Sequence, residues 1–125
     1  MIAVIEDNDG DYMIYQKTSL DGINHVRFKN LNVFLDSTQK FKAVILDLNL
    51  PDCIGNECVR LVRNKFIGKI FVLTGMAGEY LTGAHHYKLI ESGATDVFTK
   101  DDLLNKNYIQ MIRETILKCL SNQSE

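Results

Sequence analysis

The chain has no tryptophan and a single proline, Pro51. Its three cysteines, Cys53, Cys58 and Cys119, are an odd number without CxxC spacing. That pattern excludes a disulfide framework and a thiolate zinc site, and it reads as reduced thiols in a cytoplasmic protein. No apolar run approaches the ~20 residues of a membrane span, and the first residues do not read as a signal peptide. A preponderance of one charge is also missing. Fourteen basic residues face sixteen acidic ones, a net charge of −2, so the chain lacks the basic surface that nonspecific nucleic-acid binding requires. No stretch reads as a repeat, a linker or a low-complexity segment.

What remains is an ordinary globular composition, 46% hydrophobic and 24% charged over 125 residues. That length suits one domain with a sizeable core. We expect the domain to span residues 1–120, with 121–125 as a polar tail. Three runs are apolar throughout: Ile2 to Ile5, Ala43 to Leu46 and Ile70 to Leu73. Strands buried on both faces of a parallel sheet look like this. Two mixed runs, His25 to Phe28 and Asp96 to Thr99, suit edge strands. Helical spacing fills the gaps, with Leu31, Phe34 and Leu35 on one face, then Val59, Val62 and Phe66, then Ile109, Ile112, Ile116 and Leu120. A first helix over roughly Asp9 to Ser19 has Tyr12 and Tyr15 as its inward pair. Strand and helix alternate five times, which predicts a five-stranded parallel α/β sheet with helices on both faces. Putting the mixed strands at the edges gives the order 2-1-3-4-5, a flavodoxin-like arrangement.

In such sheets ligands bind beyond the C-terminal ends of the strands. Those ends carry Glu6 and Asp7 after strand one, Asp47 after strand three, Thr74 after strand four, and Thr99 with Lys100 after strand five. Strands one and three are neighbours in this order, so three carboxylates converge. Two like charges about 4 Å apart repel by ~4 kcal/mol at an effective dielectric of 20. A cluster of three therefore needs raised pKa values or a cation. Carboxylate oxygens beside a backbone carbonyl suit a hard divalent ion, Mg²⁺ above all. Lys100 adds a positive charge opposite the acids. The set suits a phosphoryl group, whose oxygens the cations neutralise while a carboxylate attacks.

These residues resemble a response-regulator receiver domain of two-component signalling. The matching pieces are Ile5-Glu6-Asp7, then Asp47-Leu48-Asn49-Leu50-Pro51-Asp52 with Gly55, then Leu73-Thr74-Gly75, then Gly93-Ala94 leading to Lys100. The resemblance covers nearly the whole chain and implies a role for each matching position. Asp47 would accept the phosphoryl group from a sensor histidine kinase or a histidine phosphotransfer protein. Asp7 would ligate Mg²⁺ directly, Glu6 through water, and Asn49 through its backbone carbonyl. Thr74 would turn its hydroxyl to one phosphoryl oxygen and Lys100 its ammonium to another. The protein would act on no separate metabolite and would signal to a downstream effector protein.

The sequence departs from the family in three places. Asp101 follows Lys100 where proline is usual, and without proline the Lys100–Asp101 bond is expected to be trans. Val97 stands where the family has a switch aromatic. The stretch from Thr74 to Gly93 is longer than usual by about one helical turn. It carries Gly75, Gly78, Gly83, Tyr80, Leu81 and the pair His85-His86. We expect the segment from Gly75 to His86 to transmit the state of Asp47 in place of the aromatic. Other readings compete less well. A Mg²⁺-dependent aspartyl phosphohydrolase would want a second carboxylate where Asn49 stands, and a flavin carrier's phosphate would be repelled by Glu6, Asp7 and Asp9. A pseudo-receiver used only for interaction is the third. His25, His85 and His86 lack metal-ligand spacing and read as surface residues. Cys58 reads as core, and Cys53 as an exposed thiol.

Overall fold

The computed structural model describes residues 1–75, 83–100 and 105–121. Its central sheet has five parallel strands, β1 (Ile2–Ile5), β2 (His25–Phe28), β3 (Ala43–Leu46), β4 (Lys69–Thr74) and β5 (Asp96–Thr99). They lie in the order β2-β1-β3-β4-β5, as the apolar and mixed runs predict. Registers are short and unbroken. Ala3 pairs with Val44 and Ile5 with Leu46 between β1 and β3, and Thr74 pairs with Thr99 between β4 and β5.

Helices α1 (Asp9–Lys17), α2 (Leu31–Asp36), α3 (Asn56–Lys65), α4 (Gly83–Ser92) and α5 (Lys106–Ser121) cover the sheet. Because strand side chains alternate with period two, each continuous apolar run feeds both faces. Ala3, Ile5, Val44, Leu46, Ile70 and Val72 pack with Phe34 of α2, Val59 and Val62 of α3 and Leu89 of α4. Ile2, Val4, Ile45, Phe71 and Leu73 pack with Tyr15 of α1 and with Ile112, Ile116 and Cys119 of α5. The inward residues expected of α2 and α3 are found in these two layers, as are Ile112, Ile116 and Leu120 of α5, whereas Ile109 is only half-buried and joins neither. None of the described helices is long and apolar enough to cross a membrane.

Helix starts follow local chemistry. Asn8 caps α1, its Oδ1 accepting from Asp11 N at 2.9 Å, and Asn30 caps α2 by accepting from Val33 N at 2.9 Å. These side chains satisfy amide groups that the helix itself leaves without partners. Asp52 reinforces the second cap from a distant loop, accepting from Leu31 N at 2.9 Å and Asn32 N at 2.8 Å. Burial acts against the charge of Asp52, but these amide bonds outweigh it and hold the carboxyl below its ordinary pKa. Pro51 and Asp52 form the turn of a short antiparallel ribbon, Asn49–Leu50 with Cys53–Ile54. Gly55 then enters α3 at φ 77°, a left-handed angle that favours glycine.

The ribbon was not legible as a strand pattern, because two-residue strands have no periodicity to read. It changes the place of one cysteine. Cys53 is half-buried against the core formed with α2 and α3, not an exposed thiol. Cys58 is buried there as expected. His25 also differs from a plain surface residue, since it is half-buried and its Nε2 lies 2.8 Å from Tyr12 Oη. The Lys100–Asp101 bond, Gly78, Tyr80, Leu81 and the tail beyond Ser121 lie outside the described residues.

Candidate functional site

The strand order reverses between β1 and β3, so the segments leaving both strands open onto one crevice. Backbone pairing continues past the strand ends and fixes their relative height. Glu6 N donates to Phe28 O at 3.0 Å and Asp47 N to Ile5 O at 3.0 Å, while Lys100 N donates to Thr74 O at 2.8 Å. These three bonds align Glu6, Asp47, Thr74 and Lys100 at the C-terminal edge of the sheet. A cavity of about 350 Å³ opens there, lined by Asp7, Asn8, Asp11, Asp47, Asn49, Gly75 and Lys100. A larger cavity of about 690 Å³ lies near the opposite end, between Phe34, Phe41 and Phe66. Its lining has no carboxylate, so it is remote from this chemistry.

Glu6, Asp7 and Asp47 each present a carboxylate oxygen within 4.8 Å of the others. Their environments differ. Glu6 is 1% exposed and Asp47 4%, whereas Asp7 is open to solvent. Glu6 Oε1 accepts from Tyr15 Oη at 2.6 Å and from Lys100 Nζ at 2.8 Å. Its Oε2 accepts from Asn8 N at 3.2 Å. Both oxygens are thus held by groups of the protein, and its backbone carbonyl is held by Arg27 Nε at 3.0 Å. The same guanidinium reaches Asp9 Oδ1 at 2.7 Å and lies 4.5 Å over the ring of Tyr12.

Asp47 is held more loosely. Its Oδ1 accepts from Asn49 N at 3.3 Å, and its Oδ2 lies 3.4 Å from Lys100 Nζ. Burial first, and the charge of Glu6 second, push its pKa up to about 7 against the opposing pull of Lys100. A carboxylate raised in this way gains from any cation that enters the crevice.

Lys100 does not stand opposite the acids, as expected, but lies among them. Its ammonium contacts Glu6 at 2.8 Å, Asp11 at 2.9 Å and Asp47 at 3.4 Å. Burial opposes its charge, yet the bonds to Asp11 and Glu6 and the charge of Asp47 raise its pKa above the ordinary lysine value.

The structure therefore brings together Glu6, Asp7, Asp47, Asn49 and Lys100. Thr74 is buried as the last residue of β4, beside the cavity-lining Gly75. Val97 is buried in the core with Leu89. His85 and His86 lie on α4, whereas Asp7 and Asp47 leave β1 and β3. Sequence reasoning missed Asp11, the clamping role of Tyr15, and Arg27.

No family model matches this chain, and no curated protein matches it. Solved structures do. The BeF3-activated receiver domain of DrrB, a Thermotoga maritima response regulator, is 24% identical, covers 96% of each chain and gives a TM-score of 0.72. The phosphorylated cyanobacterial phytochrome response regulator RcpA is 18% identical over 97% of this chain and 94% of its own, at a TM-score of 0.74. The receiver domain of a sensor histidine kinase from Pseudomonas aeruginosa PAO1, with a magnesium ion coordinated in its active-site cleft, is 20% identical. It covers 91% of this chain and 93% of its own at a TM-score of 0.69. Over nearly its whole length, this chain has the receiver-domain fold.

Proposed function

We propose that the chain is a phosphorylation-controlled signalling switch in a two-component phosphorelay, with Asp47 as the phosphoryl acceptor. One observation carries the reading. A buried carboxylate follows β3 beside two further carboxylates, and a lysine ammonium lies among them. Such a group is costly as a structural element and suited to a nucleophile. In the transfer, an oxygen of Asp47 attacks phosphorus, the bond to the donor's leaving group breaks, and an acyl phosphate forms. Water later attacks phosphorus and returns the carboxylate and inorganic phosphate.

The acid set fits a divalent cation, because three carboxylates converge at ligand spacing and Asp7 faces the cavity. Asp7 and Asp47 would hold the ion with the Asn49 carbonyl, and Glu6 would act through water because its oxygens are already engaged. When bound, Mg²⁺ would neutralise charge on the phosphoryl oxygens. Lys100 stabilises the same charge with its ammonium, and Thr74 offers its hydroxyl to a third oxygen. The donor is a sensor histidine kinase or histidine phosphotransfer protein, and the output is a contact with a downstream effector protein. The chain acts on its own Asp47 and on no separate metabolite. The BeF3-activated and magnesium-bound states of the similar structures support this reading.

The test is intact-mass spectrometry after incubation with acetyl phosphate and Mg²⁺. One phosphoryl group should be gained by the wild type and none by Asp47→Asn. No gain in the wild type, or an equal gain in the variant, would overturn the assignment.

A further inference from the structure

Lys100 reaches the crevice across Gly75, where an added Cβ would lie 3.9 Å from its Cδ. Its ammonium has three hydrogens to donate, and three carboxylates surround it. The contacts are unequal, with Glu6 at 2.8 Å and Asp11 at 2.9 Å but Asp47 at 3.4 Å. Glu6 is fixed by Tyr15 Oη and Asn8 N. Asp11 is different, because its side chain is 29% exposed near the start of α1 and makes its described hydrogen bond to Lys100 alone. It also lines the cavity with Asp7 and Asp47. A phosphoryl group on Asp47 needs a donor from Lys100, and Asp11 is the partner that can release one.

We propose that Asp11 is a positioning residue that holds Lys100 back from Asp47 and competes with the phosphoryl group for its ammonium. The proposal rests on the receiver reading of Asp47. Asp11 thus sets how readily the phosphorylated state forms, since each engagement of Lys100 must break a charge-assisted bond of the resting state. Removing that bond leaves Lys100 free to turn toward the phosphoryl oxygens.

The test is a double-mutant cycle read by the affinity for beryllofluoride, a phosphoryl mimic, at saturating Mg²⁺, followed by NMR of the whole chain. Asp11→Asn should tighten beryllofluoride binding by about three- to tenfold, the effect of losing one charge-assisted competitor. In a Lys100→Ala background the same substitution should have no effect. Equal tightening in both backgrounds would mean that Asp11 acts only through its charge on the cavity, and unchanged or weaker binding in Asp11→Asn would also overturn the proposal. If Lys100→Ala does not fold or bind, Asp9→Asn decides instead. It removes the same charge from α1 without touching Lys100, so a matching gain there refutes the tether and a negligible gain supports it. Absence of beryllofluoride binding by the wild type, or its survival in Asp47→Asn, would instead refute the receiver reading itself.

Discussion

Tyr15 Oη donates to Glu6 Oε1 at 2.6 Å, with both side chains at 1% exposure. The main core residue of α1 is thus also the clamp on the acid beside Asp7. Burial first and the charge of Glu6 second push the phenol's pKa up, so it stays a donor at every working pH. Tyr15→Phe keeps the ring and removes one donor from a buried carboxylate. A hydrogen bond to a charged group contributes ~1.5–3 kcal/mol, and the variant should lose about that much in urea unfolding. A loss below about 0.5 kcal/mol would show that water or Lys100 replaces the phenol.

The raised pKa of Asp47 gives stability a signed pH dependence. The unfolded carboxyl releases its proton near 3.9, whereas the folded one does so at about 7. Between these values the native state binds more protons than the unfolded state, so stability falls as pH rises through this window. The effect is fully present as added stability below the lower value and lost above the higher. Without divalent cation, Asp47→Asn should therefore be more stable than the wild type at pH 8, by roughly 2–4 kcal/mol at 1.36 kcal/mol per pKa unit. At pH 5 the gap should shrink. A gap independent of pH would assign the effect to packing. Mg²⁺ should stabilise the wild type most above pH 7 and lose its grip as Asp47 takes up a proton.

The fold was legible because the strands announce themselves. Ile2–Ile5 and Ala43–Leu46 are apolar at every position, and a segment of that kind has to be covered on both faces. The candidate site was legible because Glu6, Asp7 and Asp47 follow such runs directly and Lys100 follows the mixed run Asp96–Thr99, and strand order then places them together. What escaped was set by tertiary direction. Nothing in the spacing says that Tyr15 aims its hydroxyl at Glu6, that Asp11 turns to Lys100 across 89 positions, or that Asp52 caps α2 from 21 positions away. Cys53 was misplaced for the same reason, since the ribbon that tucks it in has no periodicity of its own.

Lys100→Ala separates the electrostatic part of Lys100 from its chemistry. The substitution leaves Glu6 and Asp47 buried without their shared cation. Breaking one side of a buried pair costs about 3–5 kcal/mol, and that loss is expected at pH 8 without divalent cation. Adding Mg²⁺ should recover part of it, because the proposed cation site is the same acid cluster. Equal stability of variant and wild type at pH 8 would mean that the carboxylates reorganise into water and that Lys100 does not hold the crevice together.

Gly93 joins α4 to β5 and has a backbone angle that packing makes doubly restrictive. Its φ is 123°, a conformation that side-chain-bearing residues rarely adopt, and an added Cβ would lie 2.7 Å from Arg63 Nε and 2.8 Å from Arg63 Cγ. Arg63, in the last turn of α3, uses its guanidinium to bind Gly93 O at 2.6 Å, Phe66 O at 2.8 Å and Gly68 O at 2.8 Å. It thereby ties the loops before β4 and β5 together, and β5 leads directly to Lys100. Backbone strain of this kind costs ~1–3 kcal/mol, and displacing Arg63 adds ~0.5–1.5 kcal/mol for each bond lost. Gly22 supplies the control, since its φ of 74° is also left-handed but nothing lies within 4 Å of an added Cβ. Gly93→Ala should therefore lose distinctly more stability than Gly22→Ala in urea unfolding. The excess should fall when Arg63→Ala is already present, because the two shortest contacts have gone and only the one to Cβ, at 3.1 Å, remains. Equal losses at both glycines, or an excess that persists without Arg63, would locate the whole cost in the backbone angle and leave the guanidinium contact without consequence.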